Sequence, residues 1–161
     1  QRGASGGGKV IYQYSNFINS LKGYSSSLIH LKKKKLNKIL NSINKKFKGR
    51  LNKTKYSGWN FKDLTVKKDY NFSWFNIKIK TKNDLIFDKK KDFVILPEMF
   101  AHFASDLCIK ENIKYAIFVQ NGYSIFPTNN STKLYKAYKK AKYILGYSKD
   151  IKVCFSFAYP S

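Results

Sequence analysis

The sequence predicts an α/β fold, a Rossmann-like parallel sheet flanked by helices, over a single domain spanning residues 1–161. Three observations predict it. Two short apolar runs, Phe93-Val94-Ile95-Leu96 and Tyr115-Ala116-Ile117-Phe118-Val119, are β-branched or aromatic in character and bounded by polar or turn residues. Such runs read as parallel strands buried on both faces. Between them Phe100, Phe103, Ala104 and Leu107 recur at helical spacing, so the segment reads strand, helix, strand. Strand-like and helix-like stretches alternate along the rest of the chain, as a parallel sheet requires.

Taken in order, the chain opens on a glycine-rich loop containing Gly6, Gly7 and Gly8. Val10, Ile11, Tyr14, Phe17, Ile18 and Leu21 follow as a helical stripe that Gly23 closes. Ser26-Ser27-Leu28-Ile29-His30 reads as the next strand. Loop, helix and strand make a βαβ unit whose first strand is missing. Glycines at a helix N-terminus let backbone N–H groups approach a phosphate, although neither a GxGxxG nor a Walker pattern is present.

Residues 31–69 read as a basic helix followed by an irregular excursion. Leu31 to Lys55 carries ten lysines, one arginine and no acid. Leu36, Ile39, Leu40, Ile43 and Phe47 set an amphipathic helix over Lys34 to Lys46. Such a helix packs on a sheet, lies on an anionic bilayer or grips a nucleic-acid backbone. Gly49 to Asp69 is polar and irregular, and Phe72 to Lys80 is strand-like. After the second apolar run come a loop, a helix with Leu134, Tyr135, Tyr138 and Ala141 on one face and Ser131 or Thr132 as its cap, and a short strand at Tyr143 to Tyr147. Ser148 caps a final helix carrying Ile151, Cys154 and Phe155.

The totals narrow the classes. The chain has 161 residues, 43% of them hydrophobic, which excludes compositional disorder. With 32 basic against 9 acidic residues the net charge is +23, a field that favours polyanions, either nucleic acid or an anionic membrane surface. Cys108 and Cys154 are widely separated and lack CxxC spacing, so they read as reduced core thiols of a cytosolic protein. No apolar run approaches the roughly 18 residues a membrane span needs.

In open parallel sheets ligands bind outside the carboxyl ends of the strands. Here those corners are Pro97-Glu98 and Gln120-Asn121-Gly122-Tyr123. Glu98 and His102 are four apart, so an α-helix would set them on one face as a pair for proton transfer or for orienting a hydroxyl.

Several stretches resemble GT-B glycosyltransferases of the family 4, group 1 type. Gly6-Gly7-Gly8-Lys9-Val10-Ile11-Tyr12 with Gly23-Tyr24 resembles their opening. Asp92-Phe93-Val94-Ile95-Leu96-Pro97-Glu98 resembles their D-hhh-PE strand, and Ala116-Ile117-Phe118-Val119-Gln120-Asn121-Gly122-Tyr123 their hhh-QN-x-Y strand end. Ala137-Tyr138 to Ser148 resembles the run that follows. The resemblance implies the N-terminal, acceptor-side domain of such an enzyme, with its first strand and its C-terminal donor domain missing, and so truncated at both ends and inactive alone. It implies Glu98 and His102 in catalysis, Gly6, Gly7 and Gly8 near the donor diphosphate, and Gln120, Asn121 and Tyr123 at the acceptor. A nucleotide-sugar enters as substrate rather than as a resident cofactor, and no metal is called for. The acceptor is a polysaccharide or lipid-linked glycan, and the setting is cytoplasmic, peripheral on the inner face of a membrane. The E-x7-E donor motif is lacking, since Glu98 and Glu111 are the only glutamates and lie thirteen apart. A second expectation, from the charge, is a nucleic-acid-binding module such as an organellar ribosomal protein, with Trp59 and Trp74 among its exposed aromatics.

Overall fold

The computed structural model describes residues 6–34, 60–70, 79–126 and 131–160. They fall into two compact units, one drawn from Gln1–Lys34 and Leu64–Ile86, the other from Lys35–Asp63 and Phe87–Ser161. The expected basic helix over Lys34 to Lys46, Trp59, Trp74 and most of the Phe72 to Lys80 strand lie outside the described residues.

In the first unit, helix α1 spans Gly6–Ser20. Gly6, Gly7 and Gly8 therefore form its first turn and are not a loop ahead of it. Without Cβ atoms glycines cost a helix interior about 1 kcal/mol each, but the first turn has few hydrogen bonds to weaken. The face that packs carries Tyr12 and Ser15, whereas Tyr14, Phe17 and Leu21 from the expected apolar stripe remain exposed. Gly23, at φ +84°, ends the helical region, a conformation that costs glycine nothing. Strand β1, Leu31–Lys33, pairs antiparallel with β2, Leu64–Val66. Both depart from expectation: β1 begins where the expected strand ends, and β2 lies in the expected irregular excursion. A single parallel bridge joins Leu28 to Thr81.

The second unit carries a three-stranded parallel sheet in the order β3-β4-β5: β3 is Phe93–Pro97, β4 is Lys114–Val119 and β5 is Tyr143–Gly146. The chain is thus α/β, with a parallel sheet flanked by helices. From β3 it enters a 3-10 helix, Glu98–Phe103, which widens into a π-helical turn, Ser105–Ile109. The Ile113 N–H donates to the Cys108 carbonyl at 2.9 Å, and Asn112, at φ 54°, turns the chain into β4. Asparagine is among the few residues that tolerate that left-handed conformation. Helix α2, Ser131–Lys140, crosses from β4 to β5, and α3, Lys149–Ala158, follows β5.

One face of this sheet is covered. Val94, Leu96, Tyr115, Ile117 and Val119 alternate onto it beneath the Glu98–Ile109 segment and α2, where Phe103, Leu107, Cys108, Leu134, Ala137 and Tyr138 complete the core. The Tyr115 hydroxyl donates to the Ala137 carbonyl at 2.6 Å, and Lys133 pairs with Asp106 at 3.0 Å across the two helical layers. On α2 the buried stripe is Leu134, Ala137 and Tyr138, and Tyr135, expected on that face, is exposed. The first apolar run also departs from a strand buried on both faces, since Phe93 and Ile95 point outward and are exposed. A doubly buried strand needs cover on each side, and among the described residues helices cover one side.

Candidate functional site

The parallel register brings the ends of β3 and β4 side by side, Pro97 opposite Phe118. The next residues along each strand are the polar corners. Glu98 turns back under the sheet edge, and its Oε2 accepts the Gln120 N–H at 3.1 Å. The carboxylate is 5% exposed, and burial raises its pKa against the opposing pull of the Gln120 and Asn121 N–H groups. Glu98 therefore staples two strand ends together at a cost in desolvation.

From this staple the corner is built outward. The Asn121 side chain accepts the Tyr123 N–H at 3.0 Å and caps the short 3-10 helix Gly122–Ile125. Gly122 lies in close approach to α3: a Cβ there would meet Cys154 Sγ at 3.0 Å, so a side chain needs Cys154 to give way. Tyr123 is left 83% exposed at the rim. On the β5 side the Tyr147 hydroxyl donates to the Gln120 carbonyl at 3.0 Å, closing the corner laterally. Ser148 accepts the Ile151 N–H at 3.3 Å as the cap of α3, as the sequence predicts. A shallow depression of about 550 Å³ lies beside it, lined by Gly146, Tyr147, Ser148, Lys149, Lys152 and Phe155.

The structure thus brings Glu98, Gln120, Asn121 and Tyr123 to one edge of one sheet. His102 follows Glu98 by four residues, but in a 3-10 helix that spacing is a 120° rotation rather than one shared face. It is 7% exposed, with its ring 4.1 Å from the Phe103 ring. Gly6, Gly7 and Gly8 belong to the other unit. Among the described residues no group of three or more His, Cys, Asp or Glu side chains could hold a metal.

No protein-family model, no curated protein and no solved structure matches the chain. A parallel sheet edge with backbone groups fixed by a buried carboxylate, exposed amide and phenol groups, and two lysines at a capped helix start can hold a polar, anionic or hydroxyl-rich ligand. No helix of the described residues is long and apolar enough to cross a membrane.

Two features escape a reading of the sequence. Tyr147 reads as the end of a strand, and nothing in a lone tyrosine after Gly146 signals a bond back to Gln120. In the first unit, buried Tyr12 hydrogen-bonds His30 Nε2 at 2.9 Å, and the His30 ring meets Tyr70 edge-on at 4.9 Å. Burial, with Lys67 nearby, lowers the His30 pKa to about 4, so the imidazole is neutral at physiological pH. A histidine eighteen residues from its tyrosine carries no spacing signal.

Proposed function

We propose that the chain is the acceptor-side domain of a nucleotide-sugar-dependent glycosyltransferase, with the carboxyl edge of its parallel sheet as the wall of the acceptor cleft. The observation that carries this reading is the Glu98 to Gln120 hydrogen bond, which fixes adjacent strand ends at the edge where parallel sheets hold ligands. In such a transfer an acceptor hydroxyl oxygen forms a bond to the anomeric carbon as the bond to the nucleoside diphosphate breaks. The hydroxyl proton passes to a base, and the electron pair leaves with the diphosphate.

This domain's share of that work is to bind and orient. Glu98 is buried and committed to Gln120 N–H, so it acts as a positioning residue, and direct contact falls to Gln120, Asn121 and Tyr123. The exposed Tyr123 ring offers a flat apolar surface to a sugar face, and the Asn121 amide offers hydrogen bonds to its hydroxyls. Lys149 and Lys152, in the first turn of α3, place positive charge where a phosphate of a lipid-linked acceptor would sit. Donor binding and transfer call for a second domain, and membrane association rests on the same lipid-linked acceptor.

The test is a glycan-array screen of the chain followed by titration of the best ligand. The expected outcome is saturable glycan binding that Tyr123→Ala weakens about tenfold, as removal of one stacking ring should. Absence of any glycan ligand, or affinity indifferent to Tyr123→Ala, contradicts the reading.

A further inference from the structure

The parallel sheet carries a second surface, separate from its carboxyl edge. The register that covers one face turns Phe93, Ile95, Lys114, Ala116, Tyr143 and Leu145 onto the other. There Phe93 is 42% exposed, Ile95 47%, Tyr143 54% and Leu145 39%. Ala116 lies fully buried between them, and the Phe93 and Tyr143 rings sit 6.2 Å apart, inclined by 38°. The two outer strands thus hold an aromatic pair above a methyl floor. Contiguous apolar surface of this kind on a soluble domain marks a binding site more often than idle exposure.

Charge selects the occupant. Exposed Lys114 lies on this face opposite Phe93, and exposed Lys142 holds its Nζ 5.6 Å from the Tyr143 ring. A second copy of the chain would bring these lysines against their own images, on a molecule already carrying +23. A bilayer calls for side chains that project into the acyl region, whereas these are only about half exposed. A flexible polyanion with flat π-faces answers both features: bases stack on the rings while phosphates meet the ammonium groups. We propose that the sheet face formed by Phe93, Ile95, Tyr143 and Leu145, rimmed by Lys114 and Lys142, binds single-stranded nucleic acid by aromatic stacking.

The experiment is fluorescence anisotropy of a labelled oligo-uridylate of about ten nucleotides, within the usual site size of such platforms, titrated with the full chain at several salt concentrations. Tyr143→Phe keeps the ring and is expected to bind as the parent does. Tyr143→Leu keeps apolar area but removes the ring, and is expected to bind about tenfold more weakly. The double change Lys114→Ala with Lys142→Ala is expected to lower the salt slope by roughly 1.4, about 0.7 for each phosphate left without its lysine. Thermal melting of each variant distinguishes lost binding from lost fold, and Tyr143 is exposed enough for the fold to persist. Equal affinity for Tyr143→Leu and the parent overturns the proposal. So does duplex that competes as well as single strand, or a Tyr143→Leu defect seen only in self-association or in binding to anionic phosphatidylserine vesicles.

Discussion

At the scale of single residues, the candidate edge depends on a few close approaches. Gly146 has room for no side chain, because a Cβ there would meet Ile151 Cγ2 at 2.7 Å. Gly146→Ala must displace the buried Ile151 side chain, with an expected loss of about 1–3 kcal/mol in urea unfolding, the usual cost of overpacking. Glu98 makes a sharper case. Glu98→Ala strands the part-buried Gln120 N–H and should cost about 1–3 kcal/mol, whereas Glu98→Gln retains an acceptor oxygen. Because the folded pKa is raised, the wild-type contribution is most favourable at low pH and is lost as pH rises through that folded value. Because it keeps the acceptor for Gln120 N–H, Glu98→Gln should be clearly more stable than Glu98→Ala at pH 7. Equal stability of the two would show that the staple does not hold the corner.

At the scale of elements, much of the arrangement is legible in the sequence. The runs at Phe93 and Tyr115 are short, apolar and separated by one helical segment, which is the kind of connection a parallel pair requires. Ser148 and Gly23 are legible because capping and left-handed closure demand particular residue types. The pitch of the Glu98–Ile109 segment is not. Positions three apart line up in both α and 3-10 helices, so the apolar spacing holds while the shared face for Glu98 and His102 does not. The exposure of Phe93 and Ile95 is equally hidden, since an apolar run reads the same whether one face or two are covered. The antiparallel β1-β2 pair gives no signal either, because three residues are too few to show alternation. His30 adds an element-scale prediction in the other unit. Its folded pKa is lowered to about 4, so its contribution is fully present above the ordinary value of 6.5 and lost as pH falls through 4. The stability gap between the parent and His30→Phe, followed by urea unfolding, should narrow from pH 7 to pH 4. A constant gap would contradict the neutral Tyr12–His30 pair.

At the scale of the molecule, the parallel sheet offers two surfaces of different chemistry. Its carboxyl edge is polar, with backbone groups fixed by a buried carboxylate and a rim of amide and phenol. Its outer face is apolar and aromatic with a lysine margin, on a chain of net charge +23. The first fits a hydroxyl-rich or phosphate-bearing ligand and the second a stacked polyanion, so the two activities should separate by mutation. Amide NMR of the labelled chain during titration with a glycan ligand tests the carboxyl edge as a ligand site most directly. If the edge holds the glycan, shift changes concentrate at Gln120, Asn121, Gly122, Tyr123, Tyr147 and Ser148. Changes confined to the outer face or to the other unit, with those six amides unmoved, would contradict it.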